Sequence, residues 1–181
     1  MKIRTGIIGT GFGAQVHAPI LLRHPEFELK AISSIRAGRA DKVSKELGIP
    51  FSFDNWKEMI DEVDLDLVVI ASEPASHMEM TIYAVNSGAN VLCEKPPALN
   101  DSQVTEMNKA AELQNKIVSI NFEWRYLPER QAIQGYVHAQ WMLYNDLSKA
   151  LANEGSEWLP TLYDAGIVQR IMDKVRANGT R

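Results

Sequence analysis

This 181-residue chain has a single cysteine, no long apolar run and no excess of positive charge. Cys93 alone excludes an intramolecular disulfide and any cysteine-built metal site, and such sparing use fits a reducing compartment. No apolar stretch approaches the roughly 20 residues that cross a bilayer. Nineteen Lys and Arg against 23 Asp and Glu leave a net charge of −4, which argues against nucleic acid as the main partner. The opening MKIRTGIIG has too short an apolar stretch for a signal peptide, so the cytoplasm is expected. The four histidines lie far apart, and none pairs with a carboxylate or thiol at ligand spacing, so no metal site is expected. What remains is an ordinary globular composition, 45% hydrophobic and 23% charged, long enough for one domain and a small appendage.

Against these absences stands one glycine-rich turn, Ile7-Ile8-Gly9-Thr10-Gly11-Phe12-Gly13-Ala14. An apolar strand runs into glycines and a helix opens from them. Backbone N–H groups and a helix N-terminus then face a phosphate, so the ligand expected is a dinucleotide. Gly9 makes the tight turn, Gly11 lets a pyrophosphate approach, and Ala14 stands where a small residue packs helix on strand.

Strands and helices alternate from there, predicting an α/β fold of Rossmann type: a doubly wound parallel sheet followed by C-terminal helices. Strands are expected at about Ile3–Gly9, Glu28–Ser34, Phe51–Phe53, Leu65–Ala71, Asn90–Glu94 and Lys116–Asn121. Helices are expected at about Gln15–Leu22, Ala37–Leu47, Trp56–Ile60 capped by Asn55, Ser76–Ser87, and from an Asp101 or Ser102 cap to Gln114. Residues 1–121 thus form a dinucleotide-binding domain and 122–181 a helical extension packing on it. In that extension Pro128–Val137 and His138–Leu151 read as helical, the second with a stripe of Trp141, Tyr144, Leu147 and Leu151. Thr161-Leu162-Tyr163-Asp164 opens a last helix whose apolar face holds Ala165, Val168, Ile171, Met172 and Val175, closed by Asn178-Gly179.

The cofactor's identity rests on the end of the second strand. An NAD-selective fold places a carboxylate there, roughly twenty residues beyond the fingerprint. This chain has Ser33 and Ser34 instead, followed by Arg36 and Arg39. Hydroxyls and guanidinium groups suit a 2′-phosphate, so NADP is favoured over NAD. The plainer alternative makes both arginines solvated residues at a helix start, where positive charge opposes the helix dipole unless an anion compensates.

Taken together the motifs resemble the glucose–fructose oxidoreductase / inositol dehydrogenase / rhizopine-catabolism family of NAD(P)-dependent oxidoreductases. The resemblance is carried by Gly9 to Ala14 with His17, by Ser72-Glu73-Pro74-Ala75-Ser76-His77, by Glu94-Lys95-Pro96, and by Asn121-Phe122 with Arg125 and Pro128. It implies that Lys95 is catalytic, contacting the nicotinamide ribose and polarising a substrate oxygen. With the glycine turn and the end of the second strand, which give Gly9, Thr10, Gly11, Phe12, Gly13, Ala14, Ser33, Ser34, Arg36 and Arg39, it completes the expected cofactor contacts with Ser72, Glu73, Pro74, His77, Glu94, Lys95 and Pro96. Some of these have a second reading: His17 as packing, His77 as a helix-terminal residue without a ligand, Glu94 as solvated. Pro96-Pro97 is a place for a cis bond that aims Lys95. Cys93 and the tryptophans at 124, 141 and 158 read as core.

The same resemblance exposes a gap. Members of the family carry a large β-sheet domain with an Asp-x-x-x-His motif whose histidine is the acid/base. No Asp-x-x-x-His occurs here, and Val137 runs directly into the C-terminal helices. An internal deletion near residues 137–138 is therefore inferred, whether engineered, natural, or a segment missing from the sequence as written. The functional expectation is an NADP-dependent oxidoreductase of sugar or cyclic-polyol type reduced to its cofactor-binding domain. The alternative is a non-catalytic dinucleotide-binding module, or one that associates with a second copy through surfaces the sheet domain would cover.

Overall fold

Seven apolar residues, Leu67 to Ile70 with Val91, Leu92 and Cys93, are nearly or wholly sealed from solvent, as the central strands of a parallel sheet must be. The computed structural model describes residues 1–123, 134–155 and 159–178, with side chains left out of the description at 134–139, 171 and 174–178. Six strands are present among them: β1 (Ile3–Ile8), β2 (Phe27–Ser33), β3 (Phe51–Phe53), β4 (Leu67–Ile70), β5 (Asn90–Cys93) and β6 (Val118–Ile120). They form one parallel sheet in the order β3-β2-β1-β4-β5-β6. The order reverses between β1 and β4, and the crevice outside the carboxyl ends of the strands at that switch point is where ligands bind in such sheets.

The helices are α1 (Ala18–Leu21), entered through a π-wound segment Gly13–His17, then α2 (Arg39–Leu47), α3 (Trp56–Glu62), α4 (Pro74–Asn86), α5 (Asp101–Leu113), α6 (Gln134–Leu151) and α7 (Leu162–Asn178). Local chemistry sets their ends. Asn55 Oδ1 accepts from Lys57 N at 3.0 Å to cap α3. Asn100, rather than Asp101 or Ser102, caps α5, its Oδ1 accepting from Gln103 N at 3.0 Å. Thr161 and Asp164 form the reciprocal pair at the start of α7: Thr161 N and Oγ1 donate to Asp164 Oδ2, both at 2.9 Å.

Two cores sandwich the sheet. One, with Met59, Val68, Ile70, Met107 and Ile120, lies under α3, α4, α5 and α7. The other gathers Ile7, Leu21, Phe27, Ile32, Leu67 and Leu92 under α1 and α2, and α6 completes it with Leu143, Tyr144 and Leu147, all fully buried. The stripe on α6 is thus as expected, with Trp141 and Leu151 partly buried at its edges. The face of α7 differs. Ala165 is buried, but Val168 is 40% exposed, and Gln169 turns inward, donating to Leu99 O and Asp173 Oδ1. Helix α6 runs unbroken through Val137 and His138, so the inferred junction lies inside a continuous helix rather than between two. Trp124, Arg125, Pro128 and Trp158 lie outside the described residues.

Candidate functional site

The turn after β1 is built on forced glycines. Gly9 has φ +115°, and a Cβ there would stand 2.2 Å from Ala71 O. At Gly13 a Cβ would meet Ile7 Cγ2 at 2.7 Å. Helix and strand thus approach too closely at Gly13 for a side chain, and Ala14 packs partly buried against the core beside it. Gly11 differs, because nothing lies within 4 Å of a Cβ built there. It faces open space.

That space is a cleft of about 530 Å³ over the carboxyl ends of β1, β2 and β4. Gly9, Thr10, Gly11, Ser33, Ser34, Arg36, Arg39, Ser72 and Glu73 line it, as do Trp56, Ser76 and Met80, which sequence reading did not select. One wall is a small hydrogen-bond relay. Arg39 Nε donates to Thr10 Oγ1 at 3.2 Å, Thr10 Oγ1 donates to Ser34 Oγ at 3.3 Å, and Arg36 N donates to Ser34 Oγ at 3.1 Å. Ser33 Oγ is buried without a partner. Asp54, twenty residues on in sequence, is folded back so that its carboxylate accepts from Gly38 N at 3.0 Å. The turn holding the arginines is thus fastened by an acidic group, although none follows β2 directly. An open glycine, an orphan hydroxyl and two guanidinium groups at one cleft suit a dinucleotide with its phosphates here.

Phe12, Gly13, Ala14, Pro74, His77, Glu94, Lys95 and Pro96 are not among the residues lining this cleft. Pro74 opens α4. His77 is fully buried, its Nδ1 3.0 Å from Pro96 O and its Nε2 3.0 Å from Ser72 O, so it ties the loop after β4 to the loop after β5. Burial lowers its pKa, and a neutral ring donates to only one of the two carbonyls. The Lys95–Pro96 peptide bond is cis.

Glu94 is the centre of a buried network. His17 Nε2 is 2.8 Å from Glu94 Oε1, Asn121 Nδ2 donates to the same oxygen, and Lys95 N donates to Oε2 at 3.2 Å. His17 Nδ1 in turn lies 2.7 Å from the Tyr144 hydroxyl on α6. Burial alone would push Glu94 up, but His17, Asn121 and the Lys95 N–H outweigh it and hold the carboxylate below its ordinary range. Burial, aided by Glu94, raises the Tyr144 phenol well above its usual value, and burial also pushes the Cys93 thiol up, so Cys93 is inert core. Glu94 is therefore not solvated, and His17 is a packed, hydrogen-bonded residue. Lys95 Nζ stands half-exposed, 3.8 Å from Glu123 Oε1. Sequence reading missed Tyr144 as a polar partner and Glu123 altogether. No motif marks either residue. Among the described residues no three His, Cys, Asp or Glu side chains gather as a metal site, and no helix is long and apolar enough to cross a membrane.

Residues 3–122 match the oxidoreductase family with an NAD-binding Rossmann fold. The chain belongs to this family. It is 31% identical over 136 residues to D-glucoside 3-dehydrogenase of Escherichia coli, covering 75% of this chain and 39% of the relative. It is 30% identical over 136 residues to scyllo-inositol 2-dehydrogenase (NADP(+)) of Bacillus subtilis, covering 75% and 42%. Its fold superposes on scyllo-inositol dehydrogenase from Lactobacillus casei, solved with NAD(H) and scyllo-inositol, with a TM-score of 0.66 at 27% identity over 70% of this chain and 38% of that one. The oxidoreductase family resemblance read from Gly9–Ala14 and Glu94-Lys95-Pro96 is thereby established, and the chain spans about 40% of the length of these relatives.

Proposed function

We propose that this chain binds NADP(H) as the dinucleotide-binding unit of a sugar or cyclic-polyol oxidoreductase, residues 1–121 forming that unit and 122–181 a helical extension. The observation that carries the reading is the wall of the cleft. Ser34, Thr10 and Arg39 form one hydrogen-bonded set and Arg36 N joins it, while the two carboxylates that line the cleft, Glu73 and Glu79, come from the start of α4 and none from the end of β2. A ribose diol prefers a carboxylate there, whereas a 2′-phosphate prefers hydroxyls and guanidinium groups.

Gly9 to Gly11 would take the pyrophosphate, and Ser72 and Glu73 would flank the cofactor on the β4 side. When bound, the nicotinamide supplies a hydride acceptor or donor. Lys95, held at the sheet edge by the Glu94 network, would polarise the oxygen of a small sugar or polyol. The name of the Bacillus relative supports an NADP cofactor and a cyclic-polyol substrate, and the scyllo-inositol of the Lactobacillus casei structure, which holds NAD(H), supports the substrate class alone.

Fluorescence titration tests the cofactor reading. NADPH is expected to bind more tightly than NADH, and Arg36→Ala to weaken NADPH roughly ten- to a hundredfold, the worth of a charged hydrogen bond. Equal affinities in the unaltered chain would defeat the NADP reading.

A further inference from the structure

Glu123, just beyond β6, is 1% exposed. One oxygen of its carboxylate faces Lys95 Nζ at 3.8 Å, and the other, Oε2, is buried without a hydrogen-bond partner. A carboxylate serving only as a structural ion pair would have both oxygens satisfied, because each buried lone pair left unpaired is costly. The groups that face it come from two elements: Lys95 and Glu94 from the loop after β5, and His17 from the π-wound segment. Burial opposes its ionised form, its own backbone N–H, Lys95 and His17 favour it, and Glu94 opposes it.

We propose that Glu123 is a positioning residue for Lys95, a buried carboxylate that holds the ammonium at the sheet edge and exchanges a proton with it. This rests on the reading of Lys95 as the group that meets a substrate oxygen. In the oxidation of an alcohol, the C–H and O–H bonds break and a C=O bond forms. The hydride passes to an oxidised nicotinamide dinucleotide. As the 3.8 Å separation closes to hydrogen-bond length, the ammonium gives a proton to Glu123 Oε1, and the amine so formed takes the hydroxyl proton. Lysine ends as ammonium and Glu123 as the carboxylic acid, so charge and atoms balance. Burial raises the pKa of Glu123, the direction that favours its accepting a proton.

The test reads titration rather than turnover. The full chain is reductively methylated with ¹³C, and the Lys95 signal, assigned by its loss in Lys95→Arg, is followed against pH. Two inflections are expected, one from Lys95 and a second, above the ordinary carboxylate range, from Glu123. Glu123→Gln is expected to abolish the second, while Glu123→Asp retains it. A single inflection in the unaltered chain, or the same curve in the folded Gln variant, would overturn the proposal. The unaltered chain alone is decisive if the Gln variant does not fold. NADPH titration of the same samples is read separately, so a failure of cofactor binding would count against the proposed function and leave the Glu123 result standing.

Discussion

At the scale of single residues, the decisive groups are those whose position is fixed by a partner from elsewhere in the chain. Arg36 and Arg39 matter because Thr10 and Ser34 gather them at the cleft. Their proximity to the fingerprint could be counted in sequence, but the return of Asp54 to Gly38 N could not. Glu94 carries a pH dependence with a definite sign. Its folded pKa lies below the ordinary value of 4.5, so between the two the unfolded chain binds more protons than the folded one. The stabilisation is present above about pH 4.5 and is lost as pH falls through the folded value. Thermal melts from pH 7 to pH 3 are expected to show that loss. Glu94→Gln should flatten it, and an unchanged slope in that variant would refute the assignment.

At the scale of elements, α6 is the instructive case. Its apolar stripe was readable from the spacing of Trp141, Tyr144, Leu147 and Leu151, because helical periodicity is local. Its polar role was not. The Tyr144 hydroxyl crosses 127 positions of sequence to reach His17 and, through it, Glu94. Tyr144→Phe keeps the ring and removes one buried hydrogen bond, leaving His17 Nδ1 unpaired. A loss of about 1–3 kcal/mol in urea unfolding is expected, together with weaker NADPH binding, because the Lys95 segment loses its far anchor. A variant as stable as the parent would mean that water replaces the phenol at no cost. The ends of elements were harder to read than their existence. Asn100 outcompetes Asp101 and Ser102 as the cap of α5, a choice between adjacent good cappers that only backbone direction settles. The exposure of Val168 and burial of Gln169 on α7 have the same origin, since the side a helix presents depends on how it is rolled against α5.

At the scale of the whole molecule, two cores share one sheet, and α6 belongs to the same core as α1 and β2. The helical extension is therefore expected to unfold together with the sheet. Leu147→Ala, at a fully buried site, should cost about 2–5 kcal/mol. Its urea transition should coincide whether followed by tryptophan fluorescence, with Trp141 on α6, or by far-ultraviolet circular dichroism. Transitions that separate would show instead that α6 melts alone.

The sequence by itself determined the alternation of strand and helix, the glycine turn at Gly9 to Gly13 and the membership signalled by Glu94-Lys95-Pro96. Each of these is written in a short run of residues whose backbone or burial needs are local. Tertiary structure alone decided that Gly13 packs against Ile7 of β1 with no room for a side chain, that His17, Glu94, Asn121 and Tyr144 are one network, and that Glu123 lies beside Lys95. These are meetings of side chains distant in sequence. They become obligatory only when the sheet closes, because a buried polar group must then find its partner within reach or remain without one.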